Sequence, residues 1–271
     1  MQTLIQIAAG FVVFFALFTL VEKLFPAIRQ KPVFRQGCGL DIVYWVLAPT
    51  INALIKKAAV IVALVLVALA LGLKLDASIK NGFGPVAQQP LGWLVLEVLV
   101  AGDFVGYWTR RLFHSSRLWK IHAVHHSSTE LDWLSSVRVH PFNQAINSAI
   151  SVAVLVALGF PLDIMKGYLP FIIIYGVMLH ANVPWSFGPL RYAIASPRFH
   201  RWHHTSEDHG MNKNFAGLFP LFDLLFGTFY MPRGEQPKQF GVRGNDVPES
   251  LWAQMVYPFR RAAKSKESTA G

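Results

Sequence analysis

Apolar residues along the chain are gathered into long runs and are not spread at amphipathic spacing. Five such runs lie at 4–20, 58–73, 91–107, 145–160 and 167–179. Each run predicts a helix that crosses, or nearly crosses, a bilayer core of about 30 Å. A sixth run, 42–55, contains Pro49 and Asn52. We expect it to form either a re-entrant or interfacial helix or the first half of one long tilted helix.

Composition supports a membrane protein. The AVILMFWYC residues make up 53% of the chain and charged residues only 15%, against about 25% charged residues in soluble domains. The single cysteine, Cys38, excludes an intrachain disulfide and a thiol pair for redox chemistry. The net charge of +10 comes from basic residues that flank apolar runs, so it indicates membrane topology and not nucleic-acid binding.

The distribution of Lys and Arg predicts an orientation. The first run is interpreted as an uncleaved helix, because Met1-Gln2-Thr3 carries no basic residue. With five crossings, segments 22–41 and 108–144 hold 4 + 5 = 9 basic residues, whereas 74–90 and 160–167 hold 2 + 1 = 3. By the positive-inside rule the first side is cytoplasmic and the N-terminus faces out. The expected fold is therefore an all-α integral membrane protein with about four to five transmembrane helices and a cytoplasmic helical cap.

Three regions are expected along the chain. Residues 1–90 form N-terminal membrane helices, 91–231 form a catalytic domain, and 232–271 form a soluble C-terminal tail. Within that tail, Leu251, Trp252, Met255, Val256 and Phe259 occur at helical spacing, so this segment either lies on the membrane surface or packs on the protein. Glu97, inside the third apolar run, is expected to face the helix bundle, where a buried arginine or polar backbone would pair with it.

The histidines carry the chemical signal. All ten lie between residues 114 and 209, and the pattern H-x-x-H-H occurs twice, at 122–126 and at 200–204. Helical positions i, i+3 and i+4 share a face, so each pattern is expected to aim three imidazoles at one volume. His114 falls within the same wedge as His122. This number of ligands exceeds the capacity of one ion, which predicts two metal ions between two helical segments.

Three other histidines are candidates of different kinds. His180 directly follows the fifth apolar run, where it either reaches into the site as a ligand or simply favours a helix C-terminus. His140, in Arg138-Val-His140-Pro141, is a possible ligand, whereas His209 is expected to be an ordinary structural histidine. A zinc-protease site is excluded because neither pattern contains the glutamate of H-E-x-x-H. The predicted metal ligands are His114, His122, His125, His126, His140, His180, His200, His203 and His204.

Several short motifs, including the histidine patterns, follow one another along the chain in an order that can be compared with known families. Asp103-Phe-Val-Gly-Tyr-Trp108, Arg111-Leu-Phe-His114, Leu118-Trp119, the two H-x-x-H-H patterns, His180-Ala-Asn182, Asn214 and Phe226-Gly-Thr228 occur in sequence. From about residue 100 to 230 the chain resembles the fatty acid hydroxylase and sterol desaturase superfamily. The resemblance implies an integral membrane enzyme with a non-haem di-iron centre, held by histidine, that uses O2 and two electrons to hydroxylate or desaturate a lipid.

The chain departs from the family pattern at one position. The first family box reads H-x-x-x-H, and Arg110 stands where its first histidine is expected. Arginine offers no neutral nitrogen to a cation, so one ligand is missing. Water, His140 or His209 could fill the vacancy, or the second metal could be weak or absent.

Further expectations concern the surroundings of the metals and the source of electrons. Asp103 and Asn182 match the family pattern and are expected to act at the catalytic site, as second-shell partners that fix histidine tautomers. Glu207, Asp208 and Asp223 are expected to be exposed carboxylates. No haem or flavin motif is visible, so a separate donor, of ferredoxin or cytochrome b5 type with its reductase, is expected to supply electrons.

Two other functions compete with a lipid oxygenase. The same histidines could serve a metal-binding or metal-transporting membrane protein, although transport favours ionisable residues inside several crossings, and only Glu97 and Asp103 are candidates. Alternatively, Arg110 could mark an inactive family member that kept one metal for stability.

Overall fold

The computed structural model describes residues 2–29, 32, 34–74, 77–115 and 117–260, and within them the chain is helical. The α-helices are α1 (Gln2–Leu24), α2 (Cys38–Leu47), α3 (Ile51–Leu71), α4 (Ala77–Asn81), α5 (Gly84–Ala87), α6 (Leu91–Phe113), α7 (Trp119–His126), α8 (Pro141–Ala157), α9 (Leu162–Gly167), α10 (Leu169–His180), α11 (Pro197–His203), α12 (Leu221–Leu225) and α13 (Leu251–Val256). Short 3-10 segments cover Trp133–Val137, Gly188–Tyr192, Arg243–Asn245 and Tyr257–Phe259. The all-α prediction is confirmed for this part of the chain, where extended pairing is limited to an isolated bridge between Thr205 and Phe240.

Three of the described helices are long and apolar enough to cross a membrane, at Ile5–Leu24, Ile51–Leu71 and Leu91–Phe113. The fourth and fifth predicted runs become α8, with 17 residues, and α10, with 12 residues. At 1.5 Å per residue these helices reach only about 25 and 18 Å, short of a bilayer core. They pack among the long helices and complete the bundle.

The run at 42–55 is divided between two helices. Helix α2 ends at Leu47, and α3 begins at Ile51. Pro49 lies between them and has no backbone N–H for a continuous helix. The run therefore does not form the first half of one continuous long helix. Asn52 is buried, and its side-chain amide lies 3.5 Å from the Val139 carbonyl oxygen, which brings the start of α3 next to the start of α8.

The membrane-side core joins α3, α6, α8 and α9. Its buried members include Ala68, Val98, Leu155 and Met165. Both α3 and α8 begin near Val139 and run in the same direction, whereas α6 and α10 run back towards the histidines at their C-terminal ends. Glu97 accepts a hydrogen bond from the Gln89 amide at 2.9 Å, so its partner is a neutral side chain.

A buried ion-pair network fixes α2 to the segment that follows α7. Arg35 donates to Asp132 at 2.6 Å and to Asp41 at 2.7 Å, and Arg138 donates to Asp41 at 2.5 Å. A Cβ at Gly37, which has φ +77°, would lie 2.9 Å from the Arg138 guanidinium. The network therefore requires glycine at that turn.

The described part of the tail packs against the protein. The Tyr44 hydroxyl donates to Gln254 at 2.8 Å, and Tyr257 joins Ala123 and Val124 in a buried cluster. Trp252 and Phe259 on the same segment are exposed. The segment thus has one face on the protein and an apolar face outside it. Residues 261–271 of the predicted tail lie outside the described residues.

Candidate metal centre

Four chain segments bring eight histidines to one end of the bundle. His114 follows the last turn of α6, α7 carries His122, His125 and His126, and His180 ends α10. The fourth segment is α11, which carries His200 and His203, with His204 directly after it. Helix α11 starts where it does because the Ser196 hydroxyl accepts a hydrogen bond from the Phe199 N–H at 3.2 Å, and because Pro197 suits the first helical position.

The eight histidines form two groups of four. We call them site A (His114, His122, His126 and His203) and site B (His125, His180, His200 and His204). Within each site the candidate ligand nitrogens lie within 4.8 Å of one another. The two sites adjoin, since the rings of His126 in site A and His204 in site B stack with centroids 4.3 Å apart.

Each H-x-x-H-H pattern is divided between the two sites. Positions i and i+4 of the first pattern, His122 and His126, face site A, whereas His125 at i+3 faces site B. The second pattern is reversed, with His203 at i+3 in site A. The prediction that each pattern aims three imidazoles at one volume is therefore wrong. The i+3 and i+4 positions lie on opposite sides of the line through i, so neighbouring imidazoles diverge far enough to serve two ions.

Hydrogen bonds at the Nδ1 atoms orient most of these rings. In site A, His122 Nδ1 donates to Asn143 Oδ1 at 2.7 Å, His114 Nδ1 to Asn212 Oδ1 at 3.0 Å, and His203 Nδ1 to the Lys213 carbonyl at 3.0 Å. In site B, His125 Nδ1 donates to the Arg138 carbonyl at 3.2 Å and His180 Nδ1 to the Gly176 carbonyl at 2.7 Å. An Nδ1 that carries the proton leaves Nε2 free to bind a metal.

The Nε2 atoms are buried and converge. His114 Nε2 and His203 Nε2 have no hydrogen-bond partner among the described residues. Other Nε2 atoms face one another, as in His126 and His122 at 3.1 Å, which is a contact between two acceptors when Nδ1 carries the proton. Unsatisfied buried nitrogens are costly unless a cation binds them, so the donor set fits metal ions that prefer imidazole.

Burial keeps these imidazoles neutral. It lowers the pKa of His114 to about 4, with a further lowering by the guanidinium of Arg110, and it lowers the pKa of His122, His126 and His203 well below the ordinary value. Neutral imidazole is the form that binds metal, so the site does not need to lose protons at pH 7 before loading.

The structure places the remaining candidate residues outside both sites. His140 caps α8, where its Nδ1 accepts from the Phe142 N–H at 3.2 Å and its Nε2 lies 3.1 Å from the Met255 carbonyl. His209 is largely exposed and lies 3.1 Å from Glu207. Asn182 bonds the backbone of Ile28 through both side-chain atoms. Among the described residues, none of the three forms a hydrogen bond with a histidine of site A or site B, so the expected role of Asn182 in fixing a histidine tautomer is not seen.

Asp103 also has a role other than the expected one. Its carboxylate accepts hydrogen bonds from the backbone N–H groups of Gly217, Leu218 and Phe219 at 2.7, 3.0 and 2.7 Å. A Cβ at Gly217 would lie 3.0 Å from this carboxylate. Asp103 therefore holds a loop, residues 215–219, which we call the clasp.

Asp223 holds the other end of the clasp. It accepts from the N–H groups of Phe215 and Ala216 at 2.7 and 2.8 Å, and from the Thr228 hydroxyl at 2.6 Å. Because it is fully buried, the expectation of an exposed carboxylate at this position is wrong. Burial raises the pKa of Asp223, and these hydrogen bonds oppose the change. The Phe215 ring, fixed in this way, packs edge-on against His114.

Arg110 lies beside the clustered histidines but belongs to neither site A nor site B. Its guanidinium donates to the Phe215 carbonyl and interacts electrostatically with Asp103 and Asp223. Both sites have four histidines without it, so the vacancy predicted at this position does not leave either site with fewer than four. Arg110 instead compensates the two buried carboxylates that hold the clasp.

A cavity of about 620 Å³ opens beside site B. His125, His180 and His200 line one end of it, and Val98, Leu155 and other apolar residues of α6, α8 and α10 form its walls. A largely apolar cavity of this size is typical of small-molecule sites. It gives an apolar molecule access to the histidines.

Asn143, Asn212 and the loop that forms the clasp carry no pattern in the sequence that predicts their positions beside site A. Asn143 follows His140-Pro141-Phe142 in the first turn of α8, and no pattern links it to His122. Asn212 has φ +56°, a conformation in which Asn is enriched, but that conformation is not visible in a sequence. Asp103, Asn214 and Thr228, which all stand in the matched order, were the available signals for the region around the clasp.

The all-helical fold and the paired four-histidine sites define an integral membrane protein with a polyhistidine centre suited to two metal ions. Residues 95–228 match the fatty acid hydroxylase family. The chain belongs to the fatty acid hydroxylase and sterol desaturase superfamily. The matched range contains all eight histidines of sites A and B.

Curated relatives include three kinds of lipid enzyme. The chain is 31% identical over 180 residues to ornithine lipid hydroxylase OlsE of Rhizobium tropici, which covers 66% of this chain and 54% of that protein. It is 31% identical over 138 residues to alkylglycerol monooxygenase of Homo sapiens, covering 51% of this chain and 31% of that protein. It is 32% identical over 152 residues to a very-long-chain aldehyde decarbonylase of Oryza sativa, covering 51% of this chain and 23% of that protein.

The match thus spans about half of the hydroxylase and a third or less of the other two relatives. No solved structure matches the chain.

Proposed function

We propose that this protein is a membrane-bound non-haem di-iron oxidoreductase that hydroxylates or desaturates a lipid, using O2 and electrons from a separate donor. The observation that carries the proposal is the pair of adjoining four-histidine sites at the end of an apolar cavity. Two of the relatives are an ornithine lipid hydroxylase and an alkylglycerol monooxygenase, which supports a lipid substrate. The donor would be of ferredoxin or cytochrome b5 type with its reductase, and the histidine end would face the cytoplasm.

Sites A and B would each hold one iron through their four Nε2 atoms. Bound there, the two irons would supply the O2-dependent, two-electron oxidation of an unactivated C–H bond, which no side chain can perform. The chain's own residues orient the ligand rings through the Nδ1 hydrogen bonds. The clasp covers site A with Phe215, which excludes water, and the cavity brings a lipid carbon to the histidines of site B.

Metal content combined with turnover tests the proposal. Protein purified in detergent from iron-supplemented cells is expected to contain about two iron ions per chain by elemental mass spectrometry. His203→Ala should remove the ion of site A and His200→Ala that of site B, whereas His209→Ala, an exposed histidine outside both sites, should change nothing. The loaded protein with O2 and a reductant should oxidise one of a panel of sterol, fatty acyl and ornithine lipids.

The other candidate functions give different outcomes. Two bound metals with no oxidised product, combined with metal uptake into vesicles, would favour transport and overturn the oxygenase. Product from the Arg110→His variant alone would mean that the natural chain is inactive. Turnover by the unmodified chain would exclude that reading.

A further inference from the structure

The cavity beside site B carries an excess of positive charge. Four basic residues line it, and they are Lys56, Lys57, Arg110 and Lys166. Asp103 is the carboxylate among its lining residues, and it already accepts three backbone hydrogen bonds. An apolar cavity with this charge balance favours an amphiphile that carries a negative group.

Two of these four basic residues, Lys56 and Lys57, have no anionic partner among the described residues. Arg110 is engaged with the Phe215 carbonyl and faces Asp103 and Asp223. Lys166 donates to Asp163 at 3.1 Å. Within the part of the chain that the structure describes, neither Lys56 nor Lys57 has a hydrogen bond or ion pair. Their ammonium groups are therefore free to bind an anion.

The free lysines lie at the histidine end of the cavity. They are in the second turn of α3, whose first turn contacts Val139 through Asn52. The residue before Val139 is Arg138, whose carbonyl accepts the Nδ1 hydrogen bond of His125. Lys166 is on α9, which follows the far end of α8. The wall between the two ends includes Val98, Leu155 and Met165, so an acyl chain would fit there.

We propose that the cavity binds a long-chain lipid with an anionic carboxylate or phosphate group, which Lys56 and Lys57 hold at the histidine end while the hydrocarbon chain runs towards α9. This inference rests on the proposed lipid oxidation and adds the substrate class and its direction. The carbon presented to site B then lies near the anionic group and not at the end of the chain.

Binding measured without turnover tests the substrate class. Protein in nanodiscs of neutral phosphatidylcholine is titrated with palmitate, with palmitoyl lysophosphatidate and with methyl palmitate, and retention is read by native mass spectrometry. One of the two anionic probes should bind about tenfold more tightly than the ester, and the pair tells carboxylate from phosphate. Equal affinity for all three probes would overturn the proposal, whether or not the protein oxidises lipids.

Variants assign the anion to the lysines. The double variant K56Q/K57Q should lower the affinity for the anionic probe to that for the ester, K56R/K57R should keep it, and Lys166→Gln is the matched control inside the same cavity. An unchanged affinity in K56Q/K57Q would mean that these lysines contact only bulk lipid headgroups and would overturn the assignment. Unaltered ester binding and gel-filtration profiles show that the variants are folded.

Photo-crosslinking tests the direction. Palmitate analogues carry a diazirine either near the carboxylate or near the chain end, and the labelled peptides are mapped by mass spectrometry. We expect the first analogue to label the N-terminal half of α8, which contains Asn147 and Ser148, and the second to label α9. The reverse pattern would place the head group at Lys166 and contradict the proposed direction.

Discussion

At the residue scale, two buried carboxylates act as anchors for the backbone next to the metal site. Asp103 accepts three backbone N–H groups, and Asp223 accepts two more and a hydroxyl. Backbone N–H groups in a buried loop need such acceptors. A carboxylate offers several lone pairs in one small group, which explains why the loop closes on carboxylates instead of on amides.

The change Asp103→Asn tests this role. The amide keeps the shape of the side chain but directs an NH2 group at backbone donors, so at least one N–H group loses its acceptor and Arg110 loses a compensating charge. We expect a destabilisation of about 2 to 4 kcal/mol, seen as a fall in Tm of about 5 to 15 °C by differential scanning fluorimetry in detergent.

Asp208 provides the matched control for this change. It is an exposed carboxylate that pairs with Arg243 at the surface, so Asp208→Asn should shift Tm by little. An unchanged Tm in Asp103→Asn would show that the clasp is held by other contacts.

The sequence predicted which histidines lie close together better than it predicted how they are grouped. Eight of the nine histidines proposed as ligands lie in sites A and B. The repeated i, i+3, i+4 spacing predicts this clustering, because local helix geometry alone puts these positions on one side of a helix. His140 has the same chemistry, but tertiary contacts with Met255 and Phe142 engage both of its nitrogens. The division of each pattern between two sites depends on how α7 and α11 pack, which no single pattern specifies.

At the scale of elements, α8 is both a wall of the cavity and a support of site A. Its first turn starts at Pro141 with His140 as the cap, and this places Asn143 against His122. The residue that orients the His122 ring is thus fixed by the capping geometry of a helix that carries none of the eight clustered histidines. Residues of this kind are hard to predict from a sequence, because their positions depend on contacts between elements.

Loss of the Asn143 amide should weaken site A without unfolding the protein. In Asn143→Leu, the His122 ring loses the acceptor that keeps its proton on Nδ1, so we expect metal affinity at site A to fall by about 10- to 100-fold. Competition with a chelator, read as metal ions retained per chain, measures the change.

Gln144→Leu, an amide substitution at the next position of α8, is expected to leave metal retention unchanged. Site B, with its own Nδ1 partners, should also retain its ion in Asn143→Leu. Loss of both ions in that variant would mean that the two sites are not independent. Equal metal retention by all variants would mean that Asn143 does not orient His122 for metal binding.

At the scale of the whole molecule, the long helices form an apolar bundle, and the histidines lie at one end of it. The helix ends at His114 and His180 meet α7 and α11 above the cavity, while the turns near α5 and α9 lie at the opposite end. Gly159 shows how tightly that far end is closed, since a Cβ there would lie 2.5 Å from the Phe83 carbonyl oxygen. The apolar runs could be counted from the sequence. The helix caps and Pro49 determine which of these runs form helices long enough to span a membrane.

We propose that the histidine end of the molecule faces the cytoplasm. Cysteine labelling can test this orientation directly, because the single cysteine, Cys38, is buried and should give little background labelling. We expect Lys238→Cys, exposed at the histidine end, to react with a membrane-impermeant maleimide only in inverted vesicles, and Gln88→Cys, exposed at the far end, only in intact cells. This outcome follows from the nine-to-three excess of basic residues in short segments at the histidine end. Labelling of Lys238→Cys in intact cells would invert the topology and require the electron donor to reach the site from outside.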